Sequence, residues 1–445
     1  MSIECDRELQ KYVDLEEERQ KNSLTLIASE NYVFPDVYRY SGSFLTNKYS
    51  EGRVGARYYG GTKYIDMIEE LCQKRALALF GLDPSLWGVC VQPYSGSVAN
   101  FSAYSAMIQP GGKIMGMNLP AGGHLTHGFQ TKAKKISGTS LYFSSFPYGV
   151  DKNGELDYHA IRAQFNEVQP EILICGYSAH SQDINYAELK DIVGDSAFLY
   201  GDVSHISALI AAGLMNSPFE HCDVVMTTTH KGLRGPRGGI IFYRKNATIK
   251  GVAHNLEAKM HSAVFPLMQG GPHNQTIAGT AHAMYMASLP DFKEYARQVV
   301  SNAKVLEEFF TQNKYDIVTG STVNHMIIVD LTSKGVTGAE VEEMCDIIGV
   351  SINKNTVPTD TSPFNPSGIR LGTYAITTRG FREAQTRRVA EVIHAAVEIL
   401  QAHKEERAGV SVQEWMHASK IVESKEVADA RLKVHQLAEL FPVPE

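Results

Sequence analysis

Thr227-Thr228-Thr229-His230-Lys231, followed by the turn Gly235-Pro236-Arg237-Gly238-Gly239, is the densest chemical signal in the chain. The apolar run Val224–Met226 stands directly upstream and reads as a buried strand. A lysine just after such a strand, in a polar and glycine-rich turn, is unusual. Desolvation lowers a lysine pKa and makes the amine nucleophilic, which is what Schiff-base chemistry requires. A plain surface lysine in a turn is the competing reading.

Working outward, Ile172–Cys175, Phe198–Tyr200 and Ile240–Tyr243 are three more short apolar runs without alternation. Such runs suit strands covered on both faces. Tyr186–Val193 has helical spacing between the first two, so the pattern predicts a mostly parallel α/β sheet. Asp202 ends the run Phe198-Leu199-Tyr200-Gly201-Asp202, with His205 three residues on. An acid at the end of a buried strand sits where such sheets place ligands. With the lysine, it fits pyridoxal phosphate (PLP), whose ring nitrogen stays protonated beside a carboxylate. A helix N-cap is the ordinary alternative for Asp202.

Ser95-Gly96-Ser97 precedes the helical pattern Ser97–Ile108 and can offer hydroxyls and backbone N–H groups to a phosphate, or form an ordinary capped turn. In Gly122-Gly123-His124-Leu125-Thr126-His127 the glycines let an imidazole approach a flat ligand. A metal reading of that stretch lacks carboxylate or cysteine partners. Ile369-Arg370-Leu371-Gly372-Thr373 puts an arginine on a short strand, suited to a bidentate grip on a carboxylate or to a structural salt bridge.

The rest of the chain sets bounds. It has 445 residues, 43% hydrophobic and 20% charged, with a net charge of −7. That is a soluble globular balance, and it argues against nucleic-acid binding through a basic face. Cys5, Cys72, Cys90, Cys175, Cys222 and Cys345 form no C-x-x-C pair and read as reduced, buried thiols. The acidic first residues lack a signal or transit pattern, and no apolar run is long enough for a membrane span, so the expectation is a cytoplasmic protein or one whose targeting segment is absent from this sequence. Asp14–Gln20 reads as an exposed helix, Ser41–Gly61 as a loop, and Ile65–Phe80 as a helix. After Gly270-Gly271-Pro272 the pattern becomes α+β: Val299, Val300, Ala303, Leu306 and Phe310 share a helical face, Met326–Asp330 reads as a strand, and Gly338–Ile347 and Arg382–His403 as helices. The expected organisation is an N-terminal helical arm (1–35), a large PLP-binding domain (36–275) and a small C-terminal domain (276–445).

These pieces together resemble serine hydroxymethyltransferase, a fold-type I PLP-dependent family. Further landmarks are Leu26–Asn31, Asn47–Gly52, Arg57–Gly61, Val264-Phe265-Pro266, Gln269–His273 and Asn353-Lys354-Asn355. The resemblance implies interconversion of serine and tetrahydrofolate with glycine and 5,10-methylenetetrahydrofolate. It implies that Lys231 carries PLP, Asp202 meets the ring nitrogen, and His124 stacks on the ring. Thr228 joins the catalytic set, and His205 and Ser178 lie near the ring hydroxyl. Ser95, Gly96, Ser97 and His230 hold the phosphate, with Gly270 and Gly271 of a partner subunit. Ser29, Tyr59 and Arg370 place the amino acid, Tyr49 and Glu51 come from the other subunit, and Glu51 transfers the proton. Tyr58, Leu119, Gly123, Leu125 and Asn353 face the folate, and Arg237 steadies the loop. The shared site implies a homodimer or homotetramer.

The chain departs from the family pattern at Arg53-Val54 with Ala56, and at Ala121, Ser204, Ala208, Met226, Gly232 and Tyr374. Two other readings stay open: a related PLP-dependent aldolase or transaldolase acting on threonine or another β-hydroxy amino acid, and a catalytically silent paralogue serving as a binding scaffold.

Overall fold

A computed structural model describes residues 6–360, 365–403, 405–407, 410, 412–419 and 421–445. Cys5 lies outside them; the other five cysteines are buried and free, as their scattered spacing suggests. The chain divides into two compact units, one of residues 33–297 and one of residues 1–32 with 298–445.

The first unit is built on seven strands: β1 (Trp87–Cys90), β2 (Lys113–Met115), β3 (Ser144–Ser145), β4 (Ile172–Gly176), β5 (Phe198–Asp202), β6 (Val224–Thr228) and β7 (Gly239–Arg244). Their order is β1-β7-β6-β5-β4-β2-β3. The pairs β6/β5, β5/β4, β4/β2 and β2/β3 are parallel, and β7 is antiparallel to both neighbours. This is the expected mostly parallel α/β sheet. Every residue of β4, β5 and β6 is buried, which is why these strands carry no alternation.

The helix Gly96–Met107 lies against this sheet. It is capped by Ser95, whose hydroxyl accepts the Val98 N–H, and its buried Ala99, Ala103 and Ala106 allow a close approach. Helix Lys63–Leu79 buries Ile65, Glu69, Cys72 and Ala76, one face at helical spacing. The stretch 41–61 is not wholly irregular: it holds a short helical turn, Phe44–Asn47, and a hairpin pairing Gly52–Arg53 with Ala56–Arg57.

The second unit holds β8 (Asp316–Ile317), β9 (Met326–Asp330), β10 (Asn353–Asn355) and β11 (Gly368–Gly372), an antiparallel sheet ordered β8-β9-β11-β10. Val299, Ala303, Leu306 and Phe310 are buried, whereas Val300 is only half-buried. Helix Gly338–Ile348 begins with a Thr337/Glu340 capping box and ends at Gly349, whose φ of 89° suits glycine. The helix read at Asp14–Gln20 runs longer, Arg7–Asn22, because Asp6 caps it; it buries no residue. Among the described residues, no helix is long and apolar enough to cross a membrane.

Candidate active site

Three adjacent parallel strands end side by side. Gly176 of β4 pairs with Asp202 of β5, and Asp202 pairs with Met226 of β6. Beyond these ends lies a narrow cleft lined by Gly96, Asn100, His124, Tyr177, Ser178, Asp202, Ser204, His205, Met226, Thr228 and Lys231. Seven of the residues expected from the sequence thus meet in one place.

Lys231 Nζ donates to Thr228 Oγ1 at 3.1 Å, so this lysine belongs to the cleft and is not a plain surface residue. Its turn is held by backbone bonds from Arg234 N–H to Lys231 C=O (3.1 Å) and from Gly235 N–H to Thr229 C=O (2.8 Å). The Thr229 hydroxyl also donates to the Pro236 carbonyl.

Asp202 is the last residue of β5 and caps no helix; the next helix, Ser207–Ala211, has Ile206 at its N-cap. The Asp202 carboxylate accepts four hydrogen bonds. Asn100 Nδ2 (2.9 Å) and His127 Nε2 (3.0 Å) reach Oδ2, while Ser204 Oγ (2.6 Å) and Ser204 N–H (3.2 Å) reach Oδ1. Burial alone would raise this carboxyl. The His127 hydrogen bond, the adjacent imidazoles and the Ser204 hydroxyl outweigh it and hold the group well below the usual carboxylate range.

His124 caps the short helical turn Leu125–His127. Burial, with His127 and Lys231 nearby, pushes its pKa down to about 4, so the imidazole is neutral near pH 7. Gly122 adopts φ 107°, and a Cβ there would stand 2.1 Å from the Ala179 carbonyl oxygen. The Gly122 carbonyl in turn accepts the N–H groups of Ser178 (2.7 Å) and Ala179 (3.0 Å), fixing the His124 loop to the end of β4.

The Ser95–Ser97 turn lies against the lysine segment. A Cβ on Gly96 would come within 2.7 Å of Thr228 Cγ2. His230 Nδ1 is buried and has no hydrogen-bond partner among the described residues, and burial with Lys231 and Arg237 nearby pushes its pKa down to about 3. A helix N-terminus, an open buried ring nitrogen, a buried carboxylate and a lysine form a donor set suited to PLP. Arg237 itself is exposed.

Tyr49, Glu51, Tyr58, Tyr59, Gly270 and Gly271 do not line this cleft. They gather elsewhere in the same unit. A Cβ on Gly271 would stand 2.9 Å from the Tyr49 ring, and one on Gly270 3.3 Å from Glu51 Oε1. The Tyr49 and Tyr59 rings lie 5.7 Å apart, and Tyr58 packs edge-on against Phe265 at 5.4 Å. Leu119, Gly123 and Leu125 flank the His124 loop, with Leu125 exposed.

Ser29, Asn353 and Arg370 belong to the second unit. Arg370 of β11 lies opposite Asn353 of β10, and its Nε donates to Asn353 Oδ1 at 3.1 Å. Burial lowers the Arg370 pKa to about 10. The chain just before Ser29 runs along β11: Gly372 N–H donates to the Leu26 carbonyl at 2.7 Å.

The family model for serine hydroxymethyltransferase matches residues 3–393. The chain belongs to the serine hydroxymethyltransferase family. It is 53% identical over 444 residues to the cytosolic serine hydroxymethyltransferase of Encephalitozoon cuniculi, covering 99% of this chain and 96% of that one. It is 46% identical over 452 residues to the cytosolic enzyme of Oryctolagus cuniculus (99% and 93% covered). It is 48% identical over 438 residues to the Caenorhabditis elegans enzyme (96% and 86% covered). As a serine hydroxymethyltransferase it is a PLP-dependent enzyme that interconverts serine and tetrahydrofolate with glycine and 5,10-methylenetetrahydrofolate.

Several residues of this site escape a reading by motif. Motif patterns do not single out Asn100, Thr126 or Tyr177, and they bring His127 into view only as a possible metal ligand. The one available signal was a polar side chain, Asn100, on a helix otherwise built of small and apolar residues. Two family departures fall inside the cleft: Ser204, which bonds Asp202, and Met226, whose sulfur lies 3.6 Å from Ser204 Oγ. Tyr374, at a family proline, is buried and stacks on His325 at 4.1 Å. Nothing in the structure explains Ala121 or Gly232.

Proposed function

We propose that Lys231 is the PLP-bearing lysine of this hydroxymethyltransferase and that Asp202 holds the ring nitrogen in its protonated form. When bound, PLP supplies an electron sink for the pair left on Cα as the Cα–Cβ bond of serine breaks. The observation that carries the reading is the buried, four-times hydrogen-bonded Asp202 carboxylate sharing one cleft with the Lys231 amine. Thr228 receives the Lys231 proton donor and orients the amine. His124 lies on the ring, and Ser178 and His205 approach its hydroxyl. Ser95, Gly96, Ser97 and His230 hold the phosphate through a helix N-terminus and an open imidazole nitrogen. Arg237 steadies the loop beside His230.

Arg370, Ser29 and Tyr59 hold the amino-acid substrate, the planar guanidinium gripping its carboxylate. Tyr58, Leu119, Gly123, Leu125 and Asn353 face tetrahydrofolate. Residues 1–35, 36–275 and 276–445 act as arm, cofactor domain and small domain in this scheme.

Tyr49 and Glu51, with Gly270 and Gly271, serve the cleft of a second subunit in a homodimer or homotetramer, where Glu51 moves the proton. Their separation from the Lys231 cleft supports this, as do the exposed aromatic rings of Phe44, Tyr49, Tyr58 and Tyr64 in the same region, a surface suited to burial by another chain. A cytoplasmic location follows the names of the Encephalitozoon and rabbit relatives.

The test is direct. Purified protein should be yellow, borohydride should fix the cofactor to Lys231, and serine cleavage should depend on tetrahydrofolate. A reduced adduct on another lysine would overturn the assignment. Cleavage indifferent to the folate would favour the aldolase reading.

A further inference from the structure

Asn100 stands on the inner face of helix Gly96–Met107, fully buried, and makes three hydrogen bonds. Its Nδ2 donates to Asp202 Oδ2 at 2.9 Å and to Thr126 Oγ1 at 2.7 Å, while its Oδ1 accepts the Tyr200 hydroxyl at 2.6 Å. Chemistry decides which end of the amide is which. A carboxylate is acceptor-only, so the atom facing Asp202 must be the NH2 group.

That choice orders every proton downstream. Thr126 Oγ1 accepts from Asn100, so its own hydrogen is free to point at the remaining neighbour, His124 Nδ1, at 2.7 Å. The Thr126 backbone N–H points at the same nitrogen at 3.2 Å. Two donors converge on His124 Nδ1, which must present its lone pair. The His124 proton therefore sits on Nε2.

We propose that Asn100 is a positioning residue for the hydroxymethyltransferase reaction: one buried amide holds the Asp202 carboxylate and, through Thr126, fixes His124 as its Nε2–H tautomer. The inference rests on the roles given above to Asp202 and His124, and deepens them. The acid under the ring nitrogen and the imidazole over the ring are then set by one side chain, and the stacked ring is kept uncharged above a cationic cofactor ring. Tyr200 anchors the amide from the far side, so the geometry does not depend on the cofactor being bound.

The experiment uses full-length protein with 15N-labelled histidine, studied first without cofactor and then titrated with PLP. His124→Gln assigns the His124 signals. In the wild type, Nδ1 should resonate as an unprotonated acceptor and Nε2 as a protonated nitrogen. Asn100→Ala and Thr126→Val should each shift His124 toward a mixture of tautomers. Asn100→Ala should weaken PLP binding by about tenfold, the size of one hydrogen bond to a charged group. The double variant should be no weaker than Asn100→Ala alone, because the two residues act in series. A purely structural role would lower the melting temperature and leave the tautomer and PLP affinity unchanged. The tautomer is read in cofactor-free protein, so its outcome is separate from whether Lys231 and Asp202 have the roles assigned. A wild-type His124 protonated on Nδ1 would overturn the proposal, as would a folded Asn100→Ala with unchanged tautomer and affinity. If Asn100→Ala fails to fold, Thr126→Val decides the matter through the tautomer.

Discussion

The Asp202 carboxylate and the His127 imidazole meet at 3.0 Å with both side chains almost closed to solvent. His127 Nδ1 accepts the His124 backbone N–H at 3.2 Å, which leaves Nε2 as the nitrogen that donates to Asp202. The loop bearing His124 is thereby tied to the acid at the end of β5. A carboxylate held by this many donors stays ionised through the working pH range, as the role proposed for Asp202 requires.

Asp202→Asn keeps the shape and removes the charge. It should weaken PLP retention and cost about 2–4 kcal/mol in catalysis, the scale seen when a preorganised electrostatic group is removed. Steady-state kinetics and PLP reconstitution of the variant measure both. A near-normal rate would show that the electron sink does not depend on this carboxylate.

The buried histidines make stability depend on pH. The pKa values of His124, His180 and His261 are each pushed down to about 4, chiefly by burial. A histidine whose folded pKa lies below its unfolded value, about 6.5, takes up its proton preferentially in the unfolded chain. The stability these groups contribute is complete above about pH 6.5 and is lost as pH falls toward 4, each group adding a slope of up to about 1.4 kcal/mol per pH unit. Urea unfolding of cofactor-free protein between pH 7 and 4.5 should show this loss. His180→Gln, outside the cleft, should make the slope shallower by up to about that amount; an unchanged slope would mean that His180 is not buried in its neutral form.

Two inactive chains should repair one another. Mixing Lys231→Ala with Glu51→Gln protein should restore part of the activity, because one site of the mixed dimer would be wild type throughout. Subunit exchange is confirmed separately by differential tagging. Exchange without rescue would place Glu51 in its own chain's site.

Arg370 tests the substrate class. Serine, threonine and glycine share an α-carboxylate, so a bidentate grip affects all three alike. Arg370→Lys keeps the charge and loses the planar fork, along with the bond to Asn353. All three amino acids should bind more weakly, by about 1.5–3 kcal/mol, with PLP affinity almost unchanged. Glycine titrations followed by the cofactor spectrum, beside thermal melts, separate this from a stability defect. Normal glycine affinity in a folded variant would remove Arg370 from the substrate site.

The sequence by itself determined the sheet, the lysine turn and the position of the acid. Each is written in contiguous residues: an unbroken apolar run makes a strand buried on both faces, and glycines with small polar residues make the turn after it. Ser95 marked its helix start for the same local reason. Only the tertiary structure decided what those groups touch. Asn100 reaches Asp202 across 102 positions of chain, and Tyr49 meets Gly271 across more than twice that separation. Arg370 lies opposite Asn353 because β10 and β11 pair in that register and no other. A hydrogen bond depends on a few tenths of an ångström and on the direction of a lone pair. Those are fixed by how strands register and helices pack, and local sequence patterns do not encode them.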